Sequence, residues 1–134
     1  ALPSTHRLAQ CETLHLSAFQ SDHFVSAPRH LGQGFHDQLI QLCGAAGFRP
    51  HISQQARQLQ TLVALVASGF GIALLPASMA KETREDVIFR PFRVDAPAGL
   101  QHVELLMGWN AHSASLIRDK LIEEIYRSMA LSAD

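Results

Sequence analysis

The stretch LVASGFGIALLP, residues 65–76, decides how this chain folds. It continues a run at 59–67 that is apolar at almost every position, breaks at Gly69 and Gly71, and becomes apolar again until Pro76. A helix that is apolar on nearly all sides is expected to lie buried between layers. Glycine adopts backbone angles that are closed to other residues, and proline cannot donate to a strand ladder. The stretch therefore predicts a buried helix that turns sharply into a buried strand.

The residues around this stretch alternate between strand and helix patterns. HFVSAP at 23–28 predicts a strand that its proline ends, and apolar residues at helical spacing over 35–46 predict the first helix. RPHISQQA at 49–56 predicts a second strand and GIALLP at 71–76 a third. This alternation predicts a parallel or mixed sheet with helices on both faces.

The end of the first helix carries a capping signal. Gly47 suits the left-handed position that follows a helix, and Pro50 prevents the helix from continuing. Phe48 follows the glycine, at the position where a hydrophobic cap contact is expected. The sequence therefore predicts that the helix ends at Gly47.

The two ends of the chain show weaker patterns. LHLSAF at 14–19 is a short apolar segment for which no pairing partner is predicted. VIFRPF at 87–92 and VELLMGW at 103–109 predict two further strands. A closing helix is expected from about residue 115 to 130, with Ser113 as its N-cap.

Composition excludes several classes of function. The 134 residues, of which 47% are hydrophobic, suffice for about one globular domain with a core. No apolar run reaches the roughly 18 residues that a membrane span requires. Eleven basic and twelve acidic residues give a net charge of -1, so no basic stripe is present to neutralise phosphates. We predict that this chain contacts neither a membrane nor, by itself, DNA.

Catalysis, metal binding and cofactor binding find no support in the motifs. Cys11 and Cys43 form no C-x-x-C and follow no secretory signal, which favours a reducing, cytoplasmic compartment, with a removed leader left open. His30 and His36 do not have the spacing of a helical ligand pair. The chain has no G-x-S-x-G elbow, and GFG at 69–71 follows a helix, the reverse of a dinucleotide fingerprint. We predict no enzyme, no metal and no cofactor.

An ordered set of segments resembles the effector-binding domain of LysR-type transcriptional regulators. The segments are LCGAAGFRP at 42–50, LVASGFGIALLP at 65–76 and a late strand that ends at Trp109, within a resemblance covering about Leu2 to Ile125. The resemblance implies an α/β, periplasmic-binding-protein-like (type II) sandwich with a mixed sheet. In this fold a small effector binds in the cleft between two subdomains.

The resemblance also implies a division of the chain. Residues 1–23 would be the tail of the first subdomain with a crossover, 24–101 the complete second subdomain, and 102–134 the return strand and closing helix of a partial first subdomain. DNA would be contacted only through an N-terminal helix-turn-helix absent from this chain, and the regulator would associate as a dimer or tetramer. A solute-binding protein of a transporter, which has the same architecture, is the alternative.

Seven residues are candidate effector contacts, because ligands of α/β sheets sit at strand ends and because the resemblance places a cleft there. They are Ser26, Pro28, Arg29, Phe48, Gln54, Gln55 and Phe70. Arg29 lies near an expected helix N-terminus, where an anion is favoured, so the effector is expected to be a small organic anion. Structural alternatives are a plain strand residue at Ser26, a solvated loop arginine at Arg29, a helix cap at Phe48, a turn at the two glutamines and core packing at Phe70.

Overall fold

The computed structural model describes most of the chain, namely residues 1–31, 33–81, 84–103, 108, 110, 112 and 115–131. The chain divides into two compact units, Ala1–Glu104 and Leu105–Asp134. The strands of the first unit are β1 Leu2–Pro3, β2 Leu14–His15, β3 His23–Ser26, β4 His51–Gln55, β5 Val87–Ile88 and β6 Phe92–Arg93. Its α-helices are α1 Gln33–Ala45 and α2 Leu59–Ala67, and the second unit contains α3 Leu116–Leu131.

Strand β3 is the centre of the first unit. It pairs in parallel with β4 on one side, and on the other side Phe24 forms a parallel bridge with Ile72. Next to this bridge, Ala73 is hydrogen-bonded to Ala1. The Ala73 N–H donates to the Ala1 oxygen at 2.9 Å, and the Ala1 nitrogen donates to the Ala73 oxygen at 2.8 Å. Strand β1 then pairs antiparallel with β5. The strands form three two-stranded sheets, of which β3–β4 and β2–β6 are parallel and β1–β5 is antiparallel, so the pairing is mixed, as predicted. The expected third strand at 71–76 is reduced to the bridge at Ile72.

The two faces of this sheet are covered by different helices. Successive strand residues face opposite sides of a sheet. One face contributes Phe24 and Ile72 to a core cluster that includes the α1 side chains Leu39, Leu42 and Cys43. The other face contributes Val25 and Ala73 to a cluster that includes the α2 side chains Leu62, Val63 and Val66. The prediction of helices on both faces is confirmed, and each buried aliphatic side chain contributes about 1.5–3 kcal/mol through the hydrophobic effect.

Helix α2 is less buried than its sequence predicts. Leu62, Val63 and Val66 are buried, but Thr61 and Ala64 are exposed. The expectation of a helix buried on nearly all sides is therefore wrong. Small apolar residues such as alanine are tolerated on an exposed helix surface, so composition alone overstated the burial.

Both helices of the first unit end in the same way. Gly47 and Gly69 have positive φ angles of 88° and 79°. The Phe48 N–H donates to the Cys43 carbonyl at 3.0 Å, and the Phe70 N–H donates to a carbonyl of α2 at 3.1 Å. These are Schellman motifs, in which a left-handed glycine closes the helix. The predicted cap at Gly47 is confirmed, and Phe48 packs against the α1 cluster as a cap residue should.

Gly71 meets a different requirement from the capping glycines. A Cβ atom built on it would lie 2.4 Å from the backbone oxygen of His23, and its φ angle is 152°. The contact arises because the chain turns from α2 directly onto β3, where the Ile72 N–H donates to the His23 oxygen at 2.8 Å. Only glycine allows the two backbones to approach this closely.

The segment at 14–19 has a pairing partner, contrary to prediction. Strand β2 pairs in parallel with β6, in addition to the pairing of β1 with β5. Leu14, Leu16 and Phe19 are buried in the α1 cluster. The partners were missed because they lie far along the chain, beyond the reach of a local pattern. The assignment of 1–23 to the tail of a first subdomain stays a prediction.

The later segments differ in detail from the sequence patterns. The strand expected at 87–92 is divided into β5 and β6, with Pro91 directly before β6. Most of the strand expected at 103–109 and the N-cap Ser113 lie outside the described residues. The closing helix is confirmed as α3, and its first turn is capped by Ser115, whose Oγ accepts the Arg118 N–H at 3.3 Å. In the part of the chain that is described, no helix has the length and hydropathy needed to cross a bilayer.

Replacing Gly71 with alanine is expected to lower the free energy of unfolding by about 3 kcal/mol or more, because the added methyl group collides with backbone. Gly44→Ala is the matched control. Gly44 lies in α1 with nothing within 4 Å of a Cβ position, so alanine there is expected to raise the free energy of unfolding by about 0.5–1 kcal/mol. Urea unfolding measures both, and equal effects of the two changes would contradict the packing at Gly71.

Candidate functional site

The carboxyl ends of β3 and β4 form one edge of the sheet. Ser26, the last residue of β3, is in register with Gln55, the last residue of β4. The Ala56 N–H donates to the Ser26 oxygen at 3.1 Å and holds the two ends together. In open α/β sheets, ligands bind beyond the carboxyl ends of the strands. We refer to this region, from Ser26 to Arg29 and from Gln54 to Thr61, as the carboxyl edge.

An open cavity of about 680 Å³ lies at the start of α2 and is lined by Arg57, Gln58 and Thr61. The N-cap residue Gln58 makes no side-chain hydrogen bond to the helix, and the first turn of α2 contains no acidic residue. The backbone N–H groups of the first turn are therefore not neutralised by a local side chain, a setting that favours an anion. Sequence reasoning missed these three residues, although a helix starting directly after a strand end was a usable signal.

Arg29 forms a two-pronged ion pair with Asp37 of α1. Its Nε lies 2.9 Å from Asp37 Oδ1 and its Nη2 lies 3.2 Å from Oδ2. Arg29 is exposed and Asp37 is partly exposed, so the attraction is screened by water and is weak. The hydrogen bond from Arg29 lowers the pKa of Asp37 below its usual value. Arg29 therefore stays exposed at the surface while it pairs with Asp37, and an effector carboxylate would have to share Arg29 with Asp37.

The remaining predicted residues fall into two groups. Ser26 and Pro28 are buried at the carboxyl edge, where the Ser26 hydroxyl donates a long bond of 3.4 Å to the Ala27 oxygen. Gln54 and Gln55 are exposed at the same edge. With Arg29, five of the seven predicted residues therefore lie at or just after the carboxyl ends of β3 and β4. The ligand contacts predicted for them stay predictions.

Phe48 and Phe70 lie at the opposite, amino edge of the sheet. Phe48 comes just before the start of β4 and its ring lies 6.0 Å from that of Phe24. Phe70 comes just before the bridge to β3, and its carbonyl accepts a 2.7 Å bond from the Ser53 hydroxyl. Both follow helices that run antiparallel to the strands, which returns the chain to the amino edge. The ligand contacts predicted for these two residues stay predictions.

The metal-ligating side chains of the described residues do not gather at one site. Among the residues that the structure describes, no three His, Cys, Asp or Glu side chains come together in a way that could hold a metal ion. Burial raises the pKa of the Cys43 thiol to about 12, so that thiol is a poor nucleophile. Cys11 is exposed, and neither cysteine is in a disulfide.

The LysR substrate binding domain, as a family model, matches residues 1–124. The chain belongs to this family. The LysR domain is 33% identical over 124 residues to the HTH-type transcriptional regulator ShiR of Corynebacterium glutamicum (strain R), a match that covers 91% of this chain and 40% of ShiR. It is 31% identical over 123 residues to the HTH-type transcriptional regulator TtuA of Agrobacterium vitis, covering 92% and 40% of the two chains. The LysR domain thus spans about 40% of the length of these relatives.

A solved structure shares the fold of the LysR domain. The BenM effector binding domain, solved with its effector benzoate, superposes with a TM-score of 0.61 at 24% sequence identity, over 72% of this chain and 44% of that chain. The predicted α/β, periplasmic-binding-protein-like fold is confirmed. Family membership favours a transcriptional regulator over the transporter solute-binding protein that the sequence left as the alternative.

Asp37→Asn is expected to remove the ion pair with Arg29 and to lower stability slightly near neutral pH. Because pairing lowers the pKa of Asp37 below its usual 3.8, its contribution is complete above 3.8 and is lost as the pH falls through the lowered pKa. The difference in urea midpoint between wild type and Asp37→Asn should therefore shrink between about pH 7 and about pH 3. The control is Asp95→Asn, at an exposed loop position. A difference that stays constant over this range would contradict the pairing.

Proposed function

We propose that this LysR domain senses a small organic anion at its carboxyl edge, as the effector-sensing part of a transcriptional regulator. The observation that carries the proposal is the open cavity at the start of α2, lined by Arg57, Gln58 and Thr61, on the edge that also bears Arg29. Of the predicted contacts, Ser26, Pro28, Arg29, Gln54 and Gln55 belong to this site. No catalytic step is assigned to it.

Charge and hydrogen-bonding capacity both support an anionic ligand. The start of a helix carries a partial positive charge and unpaired N–H groups, which stabilise an exposed anion by about 0.3–1 kcal/mol. Arg57 adds a permanent cation that suits the planar geometry of a carboxylate. Arg29 adds a second guanidinium, but its charge is offset by Asp37 until a ligand replaces that partner. Gln54, Gln55 and Thr61 supply neutral donors and acceptors for the rest of the ligand. The site is therefore polar and cationic although the whole chain has a net charge of -1.

The regulatory step would be a shift in population. An effector that binds one arrangement of the effector subdomains more tightly than another increases the share of that arrangement. In the whole regulator, DNA would be contacted by a helix-turn-helix outside this segment, because the LysR domain provides no basic stripe. A regulator that binds DNA would act in the compartment that holds the DNA, which supports the predicted cytoplasmic location.

A thermal-shift screen of small carboxylates beside their neutral amides tests the anionic ligand. At least one carboxylate should raise the melting temperature by mass action, and its amide should raise it less. Calorimetry with that carboxylate should then show about tenfold weaker binding to Arg29→Ala and Arg57→Ala, because each change removes a charged hydrogen bond.

Arg49→Ala is the matched control, since Arg49 is an exposed arginine at the amino edge, just before β4. It should bind the carboxylate as tightly as the wild type. Selective binding of amides, or unchanged affinity in both carboxyl-edge variants, would contradict the proposal.

We also propose that the LysR domain self-associates through α3. Leu116, Ile117 and Leu121 are 82%, 83% and 57% exposed. Tyr126 and Met129, further along the helix, are 61% and 64% exposed. Several large apolar side chains exposed on one helix are uncommon on soluble monomers and mark contact sites. A second copy of α3 offers an apolar surface of the same composition.

Sedimentation velocity over a concentration series tests this association. Wild type should show a concentration-dependent dimer or tetramer, and Ile117→Glu with Leu121→Glu should shift it toward monomer. Lys120→Glu, a charge change at an exposed polar position of the same helix, should leave association intact. A wild type that sediments as a monomer throughout would refute the proposal.

A further inference from the structure

Three consecutive side chains of α1 connect two separate segments of the first unit. His36 Nδ1 lies 3.2 Å from the Ala27 oxygen, and Asp37 holds Arg29, so both bind the loop that follows β3. Gln38 Nε2 donates to the Leu100 oxygen at 2.6 Å and to the His102 oxygen at 2.9 Å. We call His36, Asp37 and Gln38 the α1 bracket.

Gln38 anchors the last described stretch of the first unit. A primary amide nitrogen carries two hydrogens, and here each of them meets a backbone carbonyl. Leu100 is the third residue of a 3-10 helix at Ala98–Gln101, and its side chain packs against the α1 cluster. The polypeptide passes from this stretch to the second unit after residue 104. Gln38 therefore fixes the chain shortly before it leaves the first unit.

The other half of the bracket holds the loop after β3. A carbonyl oxygen can only accept, so His36 Nδ1 must carry the hydrogen that it donates to Ala27. Ala27 lies between Ser26 and Pro28, and Arg29 follows, so the bracket binds directly to the carboxyl edge. Side chains two residues apart project about 200° apart around a helix. His36 and Gln38 can therefore bind segments on different sides of α1.

The coupling requires an element that can open and close, and the beginning of α1 is suited to that role. Helix termini open locally at a lower free energy than the core does. His36, Asp37 and Gln38 are the fourth, fifth and sixth residues of α1, so a frayed start would release the loop and the 98–103 segment together. A shared two-state element is the physical condition for coupling between two sites.

We propose that the α1 bracket couples the loop after β3 to residues 98–103, so that an anion drawing Arg29 away from Asp37 loosens the anchoring of the chain where it leaves the first unit. This inference rests on the proposed function for the role of the anion. The coupling itself is a property of the protein without ligand. It can therefore be measured separately.

Two backbone amides report on the two ends of the bracket. The Leu31 N–H donates to the Pro28 oxygen at 3.0 Å in the loop, and the Leu100 N–H donates to the Pro97 oxygen at 2.9 Å in the other segment. Hydrogen exchange of these amides, followed by NMR on the full chain without added anion, measures how often each segment opens.

Arg29→Ala is expected to speed exchange at Leu100, and Gln38→Ala to speed exchange at Leu31, each about two- to threefold, because coupling through an exposed ion pair is small and is the same in both directions. These are the distant effects, since each variant lies at the other end of the bracket from its reporter. A role confined to local structure would move only the nearby amide. Gln38→Glu, which lacks the donor hydrogens, should behave as Gln38→Ala, whereas Gln38→Asn keeps the amide donor and should restore part of the protection.

Gln41→Ala is the matched control, because Gln41 is an exposed glutamine of the same helix. It should leave both reporters unchanged. Wild-type exchange at Leu100 in Arg29→Ala together with wild-type exchange at Leu31 in Gln38→Ala would overturn the proposal. Because no anion is present, that result would leave the thermal-shift test of the effector site standing, and a failed thermal-shift screen would leave the coupling standing.

Discussion

The close approach of two backbones at Gly71 is the contact on which the rest of the first unit depends. It lets the chain pass from α2 straight onto β3, where the backbones at Ile72 and β3 exchange hydrogen bonds. With β4 on its other side, β3 has its backbone groups paired on both edges, which satisfies the requirement that buried N–H and C=O groups find partners. The side chains of Phe24 and Val25 can then point to opposite faces, and each face recruits its own helix.

This arrangement places the C-terminal caps of α1 and α2 at one edge of the strands and the carboxyl edge at the other. Each helix runs back against the direction of the parallel strands, so its Schellman cap and the following phenylalanine fall at the amino edge. The strand ends and the start of α2 fall at the carboxyl edge. Phe48 and Phe70 thus occupy equivalent capping positions, while Arg29 and Arg57 share the edge where a helix N-terminus favours negative charge.

The electrostatics of the carboxyl edge rest on weak and exchangeable contacts. Arg29 is paired with Asp37 at the surface, where water screens the attraction, so a better carboxylate can replace that partner at modest cost. The same helix that presents Asp37 also presents Gln38 to the carbonyls of Leu100 and His102. The ion pair with Arg29 and the anchoring of a remote segment therefore share the first two turns of α1. Such sharing is how a local exchange of partners can have an effect elsewhere.

The sequence by itself determined the features that depend on neighbouring residues. Alternating patterns gave the α/β class, Gly47 marked the end of α1, and the ordered motifs identified the family, because periodicity and turn chemistry act within a few positions. Five of the seven predicted contacts lie at or just after the carboxyl ends of β3 and β4 for the same reason, since the pattern located both strands. Only the tertiary structure decided the partners of β1 and β2, the exposed side of α2 and the cavity at Arg57. Those features depend on which distant segments meet, as in the pairing of Ala1 with Ala73, and no local pattern carries that information.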